Sequence, residues 1–177
     1  NFIYLQPEDE FRLTIRGAFP LFTYQQTDAT IAGLDALMSY EPIESIRIIA
    51  KYSFLQGDDL TNKQPLVYMP SNNLFSSFAY SFKDGEKLKN SSATINGRYV
   101  FKQTHLNLNQ DIAPAPDGYF LLGASIGTTF KLKKTNLRCS ISGDNLLNMV
   151  YRDYLNRQRY FADDLGWNVN VRLNLSF

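Results

Sequence analysis

Cysteine, histidine and long apolar runs are what this sequence has least of. One cysteine in 177 residues, Cys139, cannot close an internal disulfide. Its neighbours alternate, Leu137 and Ile141 against Arg138 and Ser140, so it reads as a small apolar residue in a strand. A nucleophilic role would need a base and a positioned third group, and the sequence shows none. No run of 18 apolar residues occurs, which excludes a transmembrane helix. No signal peptide opens the chain, because Asn1-Phe2-Ile3 lacks a basic region and an apolar stretch, so processing or truncation is expected to have removed the start. The 18 basic and 17 acidic residues nearly cancel and no basic block stands out, which argues against nucleic acid as a partner. No nucleophile elbow, phosphate loop or histidine–carboxylate constellation appears, so nothing makes a case for an enzyme.

Aromatic residues are abundant instead, with 13 Phe and 11 Tyr, while mean hydropathy is only −0.27. A β-barrel wall combines these properties, because every second residue faces lipid and aromatic girdles mark both interfaces. The clearest segment is the last. From Trp167 to Phe177 one face reads Trp167, Val169, Val171, Leu173, Leu175, Phe177 and the other Asn168, Asn170, Arg172, Asn174, Ser176. Eleven residues of strict alternation match a tilted membrane strand. The ordinary half-buried strand is shorter, about five or six residues.

The same alternation recurs at Ile46–Phe54, Phe78–Phe82, Ala93–Phe101, Phe120–Leu132 and Leu137–Ile141, although Ile49 breaks the polar face of the first. Arg47, Lys51, Arg98, Lys102, Arg138 and Arg172 fall on the minority face, which a watery lumen tolerates and a dry core does not. Short turns are expected at Tyr40-Glu41-Pro42-Ile43, Lys83-Asp84-Gly85-Glu86 and Lys133-Lys134-Thr135-Asn136. Long polar connections are expected at about 57–72, 106–118 and 149–166. Short turns on one side and long loops on the other are the outer-membrane arrangement. The count is roughly seven full strands plus a partial one near Phe2 to Gln6.

Several stretches, kept in order, carry a resemblance: Arg16-Gly17-Ala18-Phe19-Pro20; Tyr24-Gln25-Gln26-Thr27-Asp28-Ala29-Thr30-Ile31-Ala32-Gly33-Leu34-Asp35; Gln64-Pro65-Leu66 with Met69-Pro70; and Ser142-Gly143-Asp144-Asn145-Leu146-Leu147-Asn148 with Tyr151. Together with Tyr154-Leu155-Asn156-Arg157 and the closing aromatic strand, they resemble the late barrel of TonB-dependent outer-membrane receptors. Where that family often has Pro-Gly-Arg before its last strand, this chain has Leu165-Gly166-Trp167.

The resemblance implies an all-β, antiparallel transmembrane barrel, with residues 1–177 forming its C-terminal portion and the plug domain absent. The whole barrel would be of the 22-stranded plugged type. It further implies a receptor in the outer membrane of a Gram-negative bacterium, importing a scarce solute, with a ferric siderophore or other iron chelate as first expectation. The implied partners are a TonB-type energy-transducing complex acting through the plug, outer-membrane lipids, the small ligand and a surface lipoprotein. A self-contained eight-stranded adhesin or anchor and a soluble glycan-binding β-sandwich are the rivals.

Ligand contacts are sought in the last long loop, where Arg152, Tyr154, Arg157, Arg159 and Tyr160 crowd together, and at His105, where a strand meets a loop. Such a cluster can hold an anionic ligand. It can equally be a loop salt-bridged through Asp153, Asp163 and Asp164. Asp58-Asp59 and Asp163-Asp164 lack the spacing of a calcium loop, and one histidine cannot make a metal site alone, so no metal and no cofactor are expected.

Overall fold

The computed structural model describes residues 2–14, 17–107, 111, 113–132 and 135–176, with the side chains of 2, 4–23 and 25 outside that description. The closing Phe177, Arg16 and the Lys133-Lys134 turn lie outside the described residues.

The architecture is all-β and antiparallel. Strands β1 (Phe2–Thr14) and β2 (Gly17–Thr27) form a two-stranded sheet. Strands β3 (Ala29–Ile43), β4 (Ile46–Asp59), β6 (Asn73–Ser81), β7 (Leu88–Val100), β8 (Tyr119–Lys131), β9 (Asn136–Asp144) and β10 (Asn168–Ser176) follow one another in a second sheet. A two-residue strand, β5 (Gln64–Pro65), pairs with the end of β4. The large sheet is open, with β3 and β10 as its edges.

Register converts the sequence alternation into two continuous faces. Cross-strand partners point to the same side. One row therefore runs Val171, Ile141, Ile126, Ala93, Tyr80, Ile46 across six strands. The row above it runs Val169, Gly143, Ala124, Ile95, Phe78, Ile48, Tyr40. On the opposite face lie Asn170, Ser142, Ser125, Thr94, Ala79 and Arg47. Apolar side chains stay uncovered on their face: Ile126 is 55% exposed, Val171 66% and Leu173 65%. A soluble β-sandwich would bury this face under a second sheet. Among the described residues none covers it, and the sandwich reading falls.

Strands run longer than the sequence suggests. β3, β4, β7 and β8 have 13 to 15 residues, against the roughly 9–11 that cross a bilayer. The expected partial strand near Phe2 to Gln6 is a full one to Thr14, with a register shift between Pro7 and Phe11. Tyr40-Glu41-Pro42-Ile43 is not the turn. β3 continues to Ile43, with its irregularity between Tyr40 and Ile43, and the turn is Glu44-Ser45. Pro42 is tolerated because it falls inside that irregularity, where the ladder with β4 is interrupted. Lys102 lies beyond the end of β7 rather than in the wall, and its Nζ meets Asp117 Oδ1 at 2.7 Å.

The buried core is not in the sheet. Leu66, Val67, Met69, Ala115 and Tyr154 belong to the long connections, and Val100 and Tyr119 to the strand ends they rest on. One glycine makes this possible: a Cβ on Gly57 would stand 2.8 Å from Leu66 Cδ1 and 2.9 Å from Met69 Sδ. The loop folds back there, its Leu66 amide donating to Gly57 O at 2.9 Å. Asp59, 2% exposed, ties the loop base by accepting from the amides of Thr61 and Asn62, both at 2.9 Å, from Asn62 Nδ2 at 2.8 Å and from the Thr27 hydroxyl. It is spent on turn formation, as a carboxylate in an Asx turn is.

Candidate functional site

Three connections, 60–72, 101–118 and 145–167, gather at one end of the sheet and make a cap. The longest starts with the motif around Asn145. Asn145 is buried in a left-handed conformation, φ 49°, which Asn accepts more readily than most residues. Its Oδ1 accepts from the Met149 amide at 2.8 Å, and its Nδ2 donates to Met149 O at 2.9 Å and Leu165 O at 3.2 Å. Asn148 Oδ1 accepts from the Trp167 amide at 3.2 Å. The two asparagines thus pin both ends of the excursion to the rim of β9 and β10.

The six residues expected to touch ligand separate into distinct environments. Arg159 is 3% exposed and Tyr154 6% exposed, so both lie inside the cap rather than on it. The Arg159 guanidinium pairs with Asp111 and donates to Pro114 O at 3.2 Å, while the rings of Tyr154 and Tyr160 lie 4.9 and 4.5 Å from its carbon. Tyr160 Oη donates to the other oxygen of Asp111 at 2.5 Å. Arg152 Nε pairs with Asp163 Oδ1 at 2.5 Å, and its NH1 donates to Arg159 O at 2.8 Å. Arg157 stacks over Tyr68, 5.4 Å from the ring centre, and Tyr68 holds a left-handed backbone, φ 57°. His105 Nε2 sits 2.7 Å from Asp58 Oδ1, fixing connection 101–118 to the end of β4.

The cluster is therefore a cross-loop clamp. Arg152 takes one of the three sequence-expected carboxylates, Asp163. Asp153 and Asp164 instead accept from Tyr119 Oη at 2.7 Å, from the Asp153 amide at 2.7 Å and from Asn156 Nδ2 at 2.8 Å. Asp111, the partner of Arg159, was not anticipated. It stands 48 positions away, and nothing local in the sequence announces it.

Burial, and then the Asp111 carboxylate, push the Tyr160 phenol above its ordinary value. The folded cap therefore favours the protonated phenol, and its contribution is complete below the unfolded pKa of about 10. Raising pH beyond that point should loosen the cap. Protease sensitivity of 145–167 should climb between about pH 10 and 11.5, and Tyr160→Phe should reduce the slope.

Beneath the cap, on the polar face, lies a concavity of about 450 Å³ whose lining includes Phe75, Asn96, Arg98, Leu121, Asp144, Tyr151 and Asn168. Arg98 and Lys51 were expected on this face; Phe75 was not. Its signal was available, because Phe75 is in phase with Ser77, Ala79 and Ser81, the polar face of its strand. No group of three or more His, Cys, Asp or Glu able to hold a metal forms among the described residues.

No protein-family model and no curated protein matches this chain. Twenty-five chains of solved structures match. One, named copper transporter OprC, superposes with a TM-score of 0.71 over 98% of this chain, at 17% identity. The sheet is a piece of barrel wall. It spans 27% of that neighbour's chain, about a quarter. The apolar face is thereby the outer surface, and the polar face with its concavity is the lumenal one. At this identity the likeness speaks for the fold alone.

Proposed function

We propose that this chain is the late-barrel part of an outer-membrane receptor that imports a scarce solute, working without catalysis of its own. The observation that carries the reading is the uncovered apolar belt, unbroken through register across the large sheet, with a polar lumenal face behind it. An open sheet edge has no partners for its N–H and C=O groups in hydrocarbon. β3 and β10 must therefore pair with further strands, which favours a larger barrel over the self-contained small one. The wide lumen of a larger barrel needs a gate, and a plug moved by a TonB-type partner in the inner membrane would supply one. The name of the structural neighbour supports transport as the activity class. A ferric siderophore or other iron chelate remains the first cargo to try, and copper is the second arm of the same test.

The protein should fractionate with outer membranes, require detergent, and show an intact mass several times 20.3 kDa. Deleting it should abolish uptake of one labelled metal chelate, and deleting the energy-transducing partner should reproduce the loss. Recovery as a soluble protein without detergent would remove the reading; a membrane protein near 20.3 kDa would leave the small adhesin or anchor.

A further inference from the structure

One row of the lumenal face is unlike the rest. Register places Lys51 of β4 opposite Phe75 of β6, and Phe75 opposite Arg98 of β7. An aromatic ring is thus flanked by a cation on each neighbouring strand. The Lys51 ammonium is 5.8 Å from the centre of the Phe75 ring. Among the described residues neither Lys51 nor Arg98 has a carboxylate ion pair, whereas Arg47, Lys89 and Lys102 each have one. Leu121 continues the row beyond Arg98 and gives the floor a second apolar surface.

We propose that Lys51, Phe75 and Arg98 form a docking ledge for a planar aromatic carboxylate. This rests on the import reading and names the class of solute, or part of a solute, that the barrel accepts beneath its cap. The guanidinium offers a fork of donors matched to a carboxylate. The ammonium supplies a second, more mobile charge about two strand spacings away, roughly 10 Å between backbones. Between them the Phe75 ring stacks on the ligand's ring in an offset or edge arrangement, which a ringless anion cannot exploit. Phe75 and Arg98 line the concavity together with Asn96, Asn168 and Tyr151, which can satisfy the remaining oxygens, while Lys51 stands outside that lining on the neighbouring strand. A volume near 450 Å³ suits a small solute. Asp144, which also lines the concavity, disfavours a second negative group on its side, so the carboxylates should align along the Lys51–Arg98 row.

The test is calorimetric titration of the detergent-solubilised native protein with terephthalate, whose two carboxylates flank one ring. Neutral 1,4-benzenedimethanol and inorganic sulfate serve as comparisons. Terephthalate should bind saturably, with both comparisons at least about tenfold weaker. Arg98→Gln should weaken it roughly ten- to a hundredfold, the range of one charge-assisted hydrogen bond. Arg98→Lys should fall between, and Lys51→Gln and Phe75→Leu should each weaken binding several-fold. Should Arg98→Gln fail to fold, Arg98→Lys and Lys51→Gln carry the comparison. Unchanged affinity in the charge variants, or equal binding of the diol, overturns the ledge; equal binding of sulfate removes the role of Phe75. Solute uptake lost on gene deletion but untouched by these variants would discard the ledge and leave the receptor standing.

Discussion

Replacing Arg159 by leucine is expected to destabilise the cap by about 3–5 kcal/mol, the cost of stranding one member of a buried ion pair. The side chains of Arg159 and Asp111 are 2% and 5% exposed, so neither can fall back on water. Their contact crosses from connection 145–167 to connection 101–118, and Arg159 also donates to Pro114 O in the latter. Among the described residues, loss of the guanidinium leaves Asp111 with the Tyr160 hydroxyl as its remaining side-chain donor. It also removes the cation from between the Tyr154 and Tyr160 rings. Amide exchange across 153–164 should rise roughly a hundred- to several-thousandfold, since every 1.4 kcal/mol is tenfold. The strands should be spared, because their hydrogen bonds lie in a separate ladder. The double variant Arg159→Leu with Asp111→Leu should recover much of the loss, because a buried pair replaced whole is far less costly than a pair broken. Equal exchange in native and Arg159→Leu protein would show that the cap is held elsewhere.

The contrast between wall and cap explains what the sequence could disclose. Facing in a strand is decided by parity, so Val169, Val171, Leu173 and Leu175 identify the outer face without knowledge of any partner. Partner strands then inherit the assignment through register, and Leu137, Cys139 and Ile141 fall opposite Leu175, Leu173 and Val171. Strand ends were harder. Pro42 and the acidic run Glu8-Asp9-Glu10 carry turn-like composition inside β3 and β1, where register shifts accommodate them. The cap was least legible, because the contacts that tie one connection to another join distant residues, such as Met69 to Gln103, 34 positions apart, and Asp111 to Tyr160, 49 apart. Composition showed that Arg and Tyr were plentiful there. Only the fold shows that Arg159 and Tyr154 face inward while Arg157 and Arg152 stay nearer the surface.

Parity also sets the second large effect. Ile126 lies near the middle of β8, opposite Ala93 on β7 and Ile141 on β9, and is 55% exposed on the outer face. Arginine there would stand in hydrocarbon at the depth where snorkelling helps least, at a cost of about 2–4 kcal/mol. Ser125, one residue earlier, faces Thr94 and Ser142 on the lumenal side, and arginine there should cost close to nothing. Phe130, at the short-turn end of the same strand, should fall between, at about 0–1 kcal/mol, because the interface is within reach of a long side chain. Urea equilibrium of the protein folded into phospholipid vesicles measures all three. A soluble sheet would give no such depth gradient along β8, and equal costs for Ile126→Arg and Ser125→Arg would mean that both faces meet water. A gradient confined to even-numbered positions of β8 can arise only where one face of the strand crosses lipid and the other lines a wet interior.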